Sequence, residues 1–337
     1  MEFFSMNTKK SIPLKFSLNE WLGALGDVAV LVPLFLAMSK TTNFPLSQSL
    51  LLVGLFYIWG GLYYRIPMPV QPLKAMAAVV LAQGLPFEVV RWAALFIAII
   101  LLMGSHFAAI MQRFFTTAII KGVQLGLGIM LVHSGWRLIY GIKAASRISP
   151  ANTGETVLWA IILLVFPQVP LTLGNSIFAC ADAAKTYFTE KAVRVTPKAL
   201  LTDLGIVNLI AACFGAYPLC HGSGGLTAHR SFGGKTGGAV IIAGIGYLLL
   251  SLINTNATFI LTAIPNYLLG ASLIYIGFMH ITLLRSIKGI PVWATSLIAG
   301  IIGGLTGNLA WALLIGWGAE FMQWTFTIFS RCQTPQK

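Results

Sequence analysis

Two short stretches of the chain combine residues that rarely share a greasy segment. "IPMPVQPLKAM" (66–76) carries Pro67, Pro69, Gln71, Pro72, Lys74 and Ala75, and "YPLCHGSGGL" (217–226) carries Pro218, His221, Gly222, Ser223, Gly224, Gly225 and Leu226. Proline breaks a helix interior but is favoured at a helix's first position. Pro72 therefore stands where a helix can begin, with Lys74 in its first turn, and the glycines after His221 lead into a second short helix. A helix N-terminus offers unpaired N–H groups and a partial positive charge, so it binds anions. Glycines admit close backbone approach, and successive N–H groups form an anion nest. A lysine in that turn opposes the helix dipole, and in hydrocarbon it costs about 2.5–3.5 kcal/mol. It needs a negative companion, either a carboxylate of the chain or a bound anion. Asp27, in "GALGDVAVLVP", is placed to pair with Lys74 or to carry a coupling proton. Asn175, in "LGN", holds the equivalent place later in the chain, and Gln168 just before it can add a hydrogen bond. Asp182 and Asp203 lie nearer predicted span ends and are weaker candidates. The plainer readings stand beside these: Lys74 snorkelling to an interface, His221 as a packing histidine, and the glycines as helix-packing residues.

The elements that must position these residues are spans. The chain has 337 residues, 57% hydrophobic and 9% charged, against about 25% charged in an ordinary soluble domain. Apolar runs near 20–38, 47–64, 68–84, 89–112, 115–136, 171–187, 199–216, 221–233, 238–253, 267–284, 292–307 and 309–330 predict about twelve crossings. The fold class is an all-α polytopic membrane protein. Residues 156–169 are short for a span and read as an interfacial or re-entrant piece. With the N-terminus inside, thirteen Lys and Arg fall in inner loops and five (Lys40, Arg91, Arg137, Lys143, Arg147) in outer ones, as the positive-inside rule expects. The formal charge of +13 thus goes to membrane orientation; no concentrated basic face suggests nucleic acid. The four cysteines form no CxxC pair. The basic N-terminal segment lacks a small-residue cleavage site, so no removable signal is expected.

A faint repeat runs through the chain. "LGD" at 25–27 returns as "LGN" at 173–175, Pro67 is echoed by Pro218, and "TAI" at 117–119 by "TAI" at 262–264, at offsets of 148, 151 and 145. Three matches in one order, starting on opposite sides of the membrane, predict two inverted repeats with a broken third span in each. The division is 1–19 as a cytoplasmic N-terminal segment, 20–150 as the first repeat, 151–170 as a short connecting or re-entrant segment, 171–330 as the second repeat and 331–337 as a tail.

"MPVQPLKAMAAVVLAQG", "PQVPLTLGNS" and "GAYPLCHGSGGLTAHRSFGGKTGG" together resemble the molybdate transporter family of the sulfate permease superfamily. The resemblance covers roughly residues 17–285. It implies a core domain carrying the site, a gate domain beside it as in nucleobase transporters, and uptake of molybdate or sulfate between the broken spans. By that resemblance Gln71, Pro72, Lys74, Ala75, His221, Gly222, Gly224, Gly225 and Leu226 line the site; Ser223 and Asn175 join them from position. Departures are visible. The second motif continues His229-Arg230-Ser231 where the family usually reads Gln-Tyr-Arg, and the first span reads "GDVAVL" where it usually reads "GDLGTF". The stretch 140–170 is short, as if gate spans were reduced, and no carboxy-terminal regulatory domain is expected.

The reading that follows is proton-coupled import of a tetrahedral oxyanion by alternating access, in a multi-pass protein of a bacterial inner membrane. The partners are molybdate or sulfate, protons and the lipid bilayer, with a homodimer allowed; no cofactor and no nucleic acid are expected, and no ATP-binding motif is visible. The alternatives are transport of another anion or a nucleobase, a passive anion channel, and an intramembrane serine hydrolase using Ser223 with His221 or His229.

Overall fold

The computed structural model describes residues 13–107, 116–142, 150–253 and 263–333. Among the features used above, Lys9, Lys10, Arg113, Lys143, Arg147 and Thr262 fall outside these residues, as do most of the 1–19 segment and of the 331–337 tail. The chain opens with α1 (Leu18–Ala24) and α2 (Val28–Thr41), one run interrupted at Leu25–Asp27. The interruption lets another segment in: a Cβ on Gly26 would lie 2.5 Å from the backbone nitrogen of His229. Then come α3 (Leu46–Tyr64), the two-residue strand β1 (Gln71–Pro72), the short helix α4 (Lys74–Gln83), α5 (Phe87–Gly104) and α6 (Thr117–Ile139).

The later half repeats this order. A long helical run, α7 (Thr153–Ala192), precedes α8 (Pro197–Phe214), the strand β2 (Leu219–Cys220), the short helix α9 (Ser223–Ser231), α10 (Gly237–Ile253) and α11 (Asn266–Thr282). Two more helices, α12 (Ile290–Thr306) and α13 (Leu309–Gln333), close the chain. Among the described residues seven helices are long and apolar enough to cross a membrane, and four shorter apolar ones accompany them, against the twelve crossings expected. The broken spans explain part of the difference. In α4 and α9 the depth is shared between an extended segment and a helix of 10 or 9 residues.

Residues 151–170 differ from expectation. From Thr153 on they do not form a separate connecting piece but open the continuous 40-residue run α7. Pro167 and Pro170 each remove an N–H from the ladder, and two π-helical stretches, Ala160–Val165 and Thr172–Phe178, flank them and carry the helix through. The sequence reading had taken 156–169 as too short for a span.

The helices pack in two groups. In one, α3 lies along α10 and α5 along α8; in the other, α6 lies against α11, α12 and α13. Both depend on glycines spaced seven apart on antiparallel neighbours. A Cβ on Gly54 or Gly61 would meet the carbonyl oxygen of Gly244 at 2.7 Å or of Gly237 at 2.5 Å. A Cβ on Gly128 or Gly135 would meet that of Gly277 at 2.7 Å or of Gly270 at 2.5 Å. Such small residues let helix backbones touch where lipid supplies no hydrophobic drive between helices. The groups meet where α4 contacts α6, α2 contacts α11, and α13 contacts α7.

Candidate functional site

The two broken spans meet at their breaks. β1 and β2 pair antiparallel, Gln71 opposite Cys220 and Pro72 opposite Leu219. Pro72 is thus in the extended segment and not at the head of α4: the helix starts at Lys74, with Leu73 as its N-cap. Two residues is a short ladder, and side chains complete it. Asn208 of α8 brackets Leu219, donating to its carbonyl at 3.0 Å and accepting from its N–H at 2.7 Å. The Tyr217 hydroxyl donates to the Leu73 carbonyl at 3.2 Å. Unwound backbone at this depth is tolerable because its polar groups are satisfied within the protein.

Lys74 does not pair directly with Asp27, as the sequence reading had offered. Its ammonium donates to Gln71 Oε1, and the same Gln71 amide donates through Nε2 to Asp27 Oδ1. Gln71 therefore links cation to carboxylate. Asp27 is 1% exposed. Its other oxygen accepts from the Tyr57 hydroxyl at 3.0 Å and lies 3.3 Å from His229 Nε2, an ion-pair distance without hydrogen-bond alignment. The His229 ring is fixed at Nδ1, 2.7 Å from the Gly23 carbonyl. Two glycines make room for this network. A Cβ on Gly222 would collide with Gln71 Oε1, and one on Gly225 would lie 2.5 Å from Gln71 Nε2 and 2.6 Å from Asp27 Oδ1. Gly224 faces open space.

A small cavity adjoins this network, about 30 Å³ in volume, lined in part by Lys74, Gln168, Asn175 and Cys220 and in part by Gln124 of α6 and His280 of α11. It lies between the two helix groups. Lys74 is the only Lys, Arg, Asp or Glu among its described lining residues. That volume holds a water or two and is smaller than a tetrahedral oxyanion.

Gln168 changes the expected picture of two open helix N-termini. Its Oε1 accepts from the backbone N–H of Ala75 at 3.1 Å and of Met76 at 3.2 Å, while its Nε2 donates to Thr172 Oγ1 at 3.0 Å. The donors at the head of α4 are thus engaged by a side chain from α7. At the head of α9 no side chain caps Gly222. A Cβ there would lie 3.4 Å from Lys74 Nζ, so this second N-terminus abuts the ammonium. Ser223 donates its hydroxyl to Asn175 Oδ1 at 2.8 Å, joining α9 to the π-helical stretch of α7. Leu226 is buried in the core behind it.

His221 is not turned toward the cavity. Its Nδ1 is 2.6 Å from the Pro69 carbonyl and its Nε2 3.1 Å from Asp203 Oδ2, and its ring stacks on Phe56. It acts as a buried peg that fastens both breaks to α8. Neither His221 nor His229 contacts Ser223, so the arrangement a serine nucleophile requires is not formed. Asp203, set aside in the sequence, proves central, since it accepts from Tyr64 as well as facing His221. The missed signal was α3: Tyr57 and Tyr64, seven residues apart on one apolar helix, each donate to a buried carboxylate. Gln124, also missed, had only its place in an apolar run to mark it.

With this geometry in place, comparison with known proteins is informative. Residues 19–131 and 160–279 match a family described as molybdate transporter of the MFS superfamily. Molybdate transporter 2 of Arabidopsis thaliana is 24% identical, covering 77% of this chain and 77% of its own length. Molybdate transporter 1 of the same plant is 24% identical, covering 91% and 90%. Among solved structures, the transmembrane domain of the cyanobacterial bicarbonate transporter BicA superposes with a TM-score of 0.61 at 16% identity, covering 91% of this chain and 98% of that one. At that identity the likeness speaks for the fold alone. The relatives are transporters and not enzymes, and their architecture is that of an integral, multi-pass membrane protein. The chain belongs to the molybdate transporter family.

Proposed function

We propose that the chain is a secondary active transporter that imports molybdate, coupled to protons, by movement of the two helix groups around the cavity at Lys74. The observation that carries this reading is the cavity between the groups, where Lys74 is the one Lys, Arg, Asp or Glu among the described lining residues and its ammonium lies against the start of α9. A tetrahedral oxyanion accepts hydrogen bonds at every oxygen, and a cation with helix N–H donors supplies them. Lys74, the head of α9, Asn175 and Gln168 form its binding surface in this account, and His221 positions the break behind them. Since the cavity is smaller than the anion, the groups part to admit it. The similar order of elements in the two halves fits inverted repeats, and α6 with α11, α12 and α13 serves as a reduced gate. The N-terminus lies on the cytoplasmic side.

Proton coupling rests on Asp27. A dianion beside Lys74 draws the ammonium from Gln71, and Asp27, buried against Tyr57 and His229, is the carboxylate placed to carry the coupled proton. Anion and proton then cross together. Sulfate has the same tetrahedral shape and charge and is the natural competitor. The test is uptake of labelled molybdate into proteoliposomes under an acid-outside pH gradient. The expected result is accumulation above equilibrium that a protonophore collapses. In Asp27→Asn, accumulation is lost while downhill exchange persists. Accumulation indifferent to the gradient would overturn the coupling, and absence of molybdate uptake the whole reading.

A further inference from the structure

The cavity at Lys74 has two walls. Lys74, Gln168, Asn175 and Cys220 stand on one, and the facing helix group brings two polar side chains to the other, Gln124 of α6 and His280 of α11. Their placement follows from the close contact of those helices. A Cβ on Gly128 would lie 2.7 Å from the Gly277 carbonyl. Gln124 lies one turn before Gly128, and His280 lies one turn after Gly277. The helices run antiparallel, so both side chains emerge at the same level, on the side that meets the cavity.

Neither side chain is fully satisfied by the protein. Gln124 is 6% exposed, and its Oε1 has no hydrogen-bond partner. Native interiors rarely leave such an atom unpaired, so a water or a ligand completes it. An amide can also turn and offer its NH2, which lets it serve an anion as a donor. His280 is held at one end. Its Nδ1 lies 2.9 Å from the Ile276 carbonyl, and a carbonyl only accepts, so Nδ1 carries the ring proton. Nε2 of the neutral ring is then an acceptor, and it makes no hydrogen bond among the described residues. The charged and titratable groups around the ring are few. Lys74 and the Cys220 thiol face it across the cavity. On α6 the Lys121 ammonium donates to the Leu283 carbonyl at 3.0 Å, beside the same cavity. Tyr275 of α11 and Arg285 beyond it are exposed, and Lys40 of α2 meets α11 at its other end, at Asn266. No aspartate or glutamate is among the described residues lining the cavity.

We infer that Gln124 and His280 are the gate-side ligands of the anion, and that the two helix groups close on it with a proton shared between His280 Nε2 and an anion oxygen. The inference rests on the transport reading above. Its reason is a count of donors. An oxyanion oxygen and a neutral Nε2 are both acceptors, and they repel unless a proton lies between them. With that proton the contact becomes a charge-assisted hydrogen bond. Lys74 and the head of α9 on the opposite wall need no such proton. A shared proton also discriminates between anions of equal shape and charge, because it is held better by the more basic one. Molybdate is the conjugate base of a weaker acid than sulfate is, so His280 selects molybdate.

The test is calorimetric titration of the detergent-solubilised full chain in buffers of different ionisation enthalpy, which counts protons taken up per anion bound. Asp27→Asn serves as the background, so that this carboxylate adds nothing to the count. Near neutral pH this protein takes up about one proton per molybdate, and adding His280→Gln removes that uptake. The Kd for molybdate then rises about tenfold and that for sulfate rises less. In the same background, affinity that falls with rising pH becomes flat in His280→Gln. Gln124→Leu weakens binding about threefold or more and keeps the proton count. A weaker Kd in His280→Gln with the proton count unchanged would show a packing role and overturn the proposal, as would an equal loss for sulfate. Full affinity in Gln124→Leu would assign its oxygen to water and strike it from the ligands. These results leave the transport reading standing, whereas a wild-type chain that binds no molybdate would overturn both.

Discussion

Gly222, Gly224 and Gly225 are near neighbours in sequence, yet they meet different surroundings. A Cβ at 222 or 225 would enter the Gln71–Asp27 network, and one at 224 would meet nothing within 4 Å. Gly225→Ala should therefore cost about 1–3 kcal/mol, the usual range for overpacking. Gly224→Ala should be neutral or gain up to about 1 kcal/mol from better helix propensity. Thermal unfolding in detergent checks the contrast, and equal shifts at both positions would contradict the geometry. The residue types at the site were legible from the sequence, because a lysine and clustered glycines in hydrocarbon demand a reason. Their partners were not. Lys74 reaches Asp27 through Gln71, and His229 faces Asp27 across more than two hundred residues of chain. Side-chain relays of this kind leave no spacing signature. His221 looked like a ligand because it neighbours the glycines, but its contacts with Pro69 and Asp203 make it a fastening.

At the scale of elements, the head of α4 shows how a broken span is kept stable. Its N–H groups at Ala75 and Met76 are buried, and Gln168 satisfies both from another helix. Gln168→Leu leaves two buried donors without an acceptor, at about 1–3 kcal/mol each, so the unfolding midpoint should fall clearly. Gln168→Glu keeps the acceptor and should preserve stability while weakening anion binding, because it places a negative charge beside Lys74. A stable Gln168→Leu protein with normal binding would show that the cap is dispensable. The breaks themselves were readable from Pro67, Pro69, Pro72 and Pro218, since proline and glycine constrain backbone locally. The continuity of α7 was not, because a proline locally argues for a helix end, whereas here two π-helical stretches carry the helix past Pro167 and Pro170. The seven-residue glycine spacing on α3 with α10 and on α6 with α11 was not singled out in the sequence, because only packing shows which helices it joins.

At the scale of the molecule, hydropathy and charge pointed to a membrane protein and to an anion, and family membership agrees with both. What they could not give was the meeting of two helix groups at one small cavity, which depends on contacts among α4, α6, α7 and α11. The central claim is that Lys74 is the cation of the transport site. Equilibrium binding of molybdate to the purified protein, wild type against Lys74→Ala, tests it most directly, with sulfate and bicarbonate as competitors. A charge-assisted contact of about 3 kcal/mol corresponds to a roughly hundredfold weaker Kd in Lys74→Ala, and that loss in a protein that still unfolds cooperatively is the predicted result. Binding within about twofold of wild type would contradict the account.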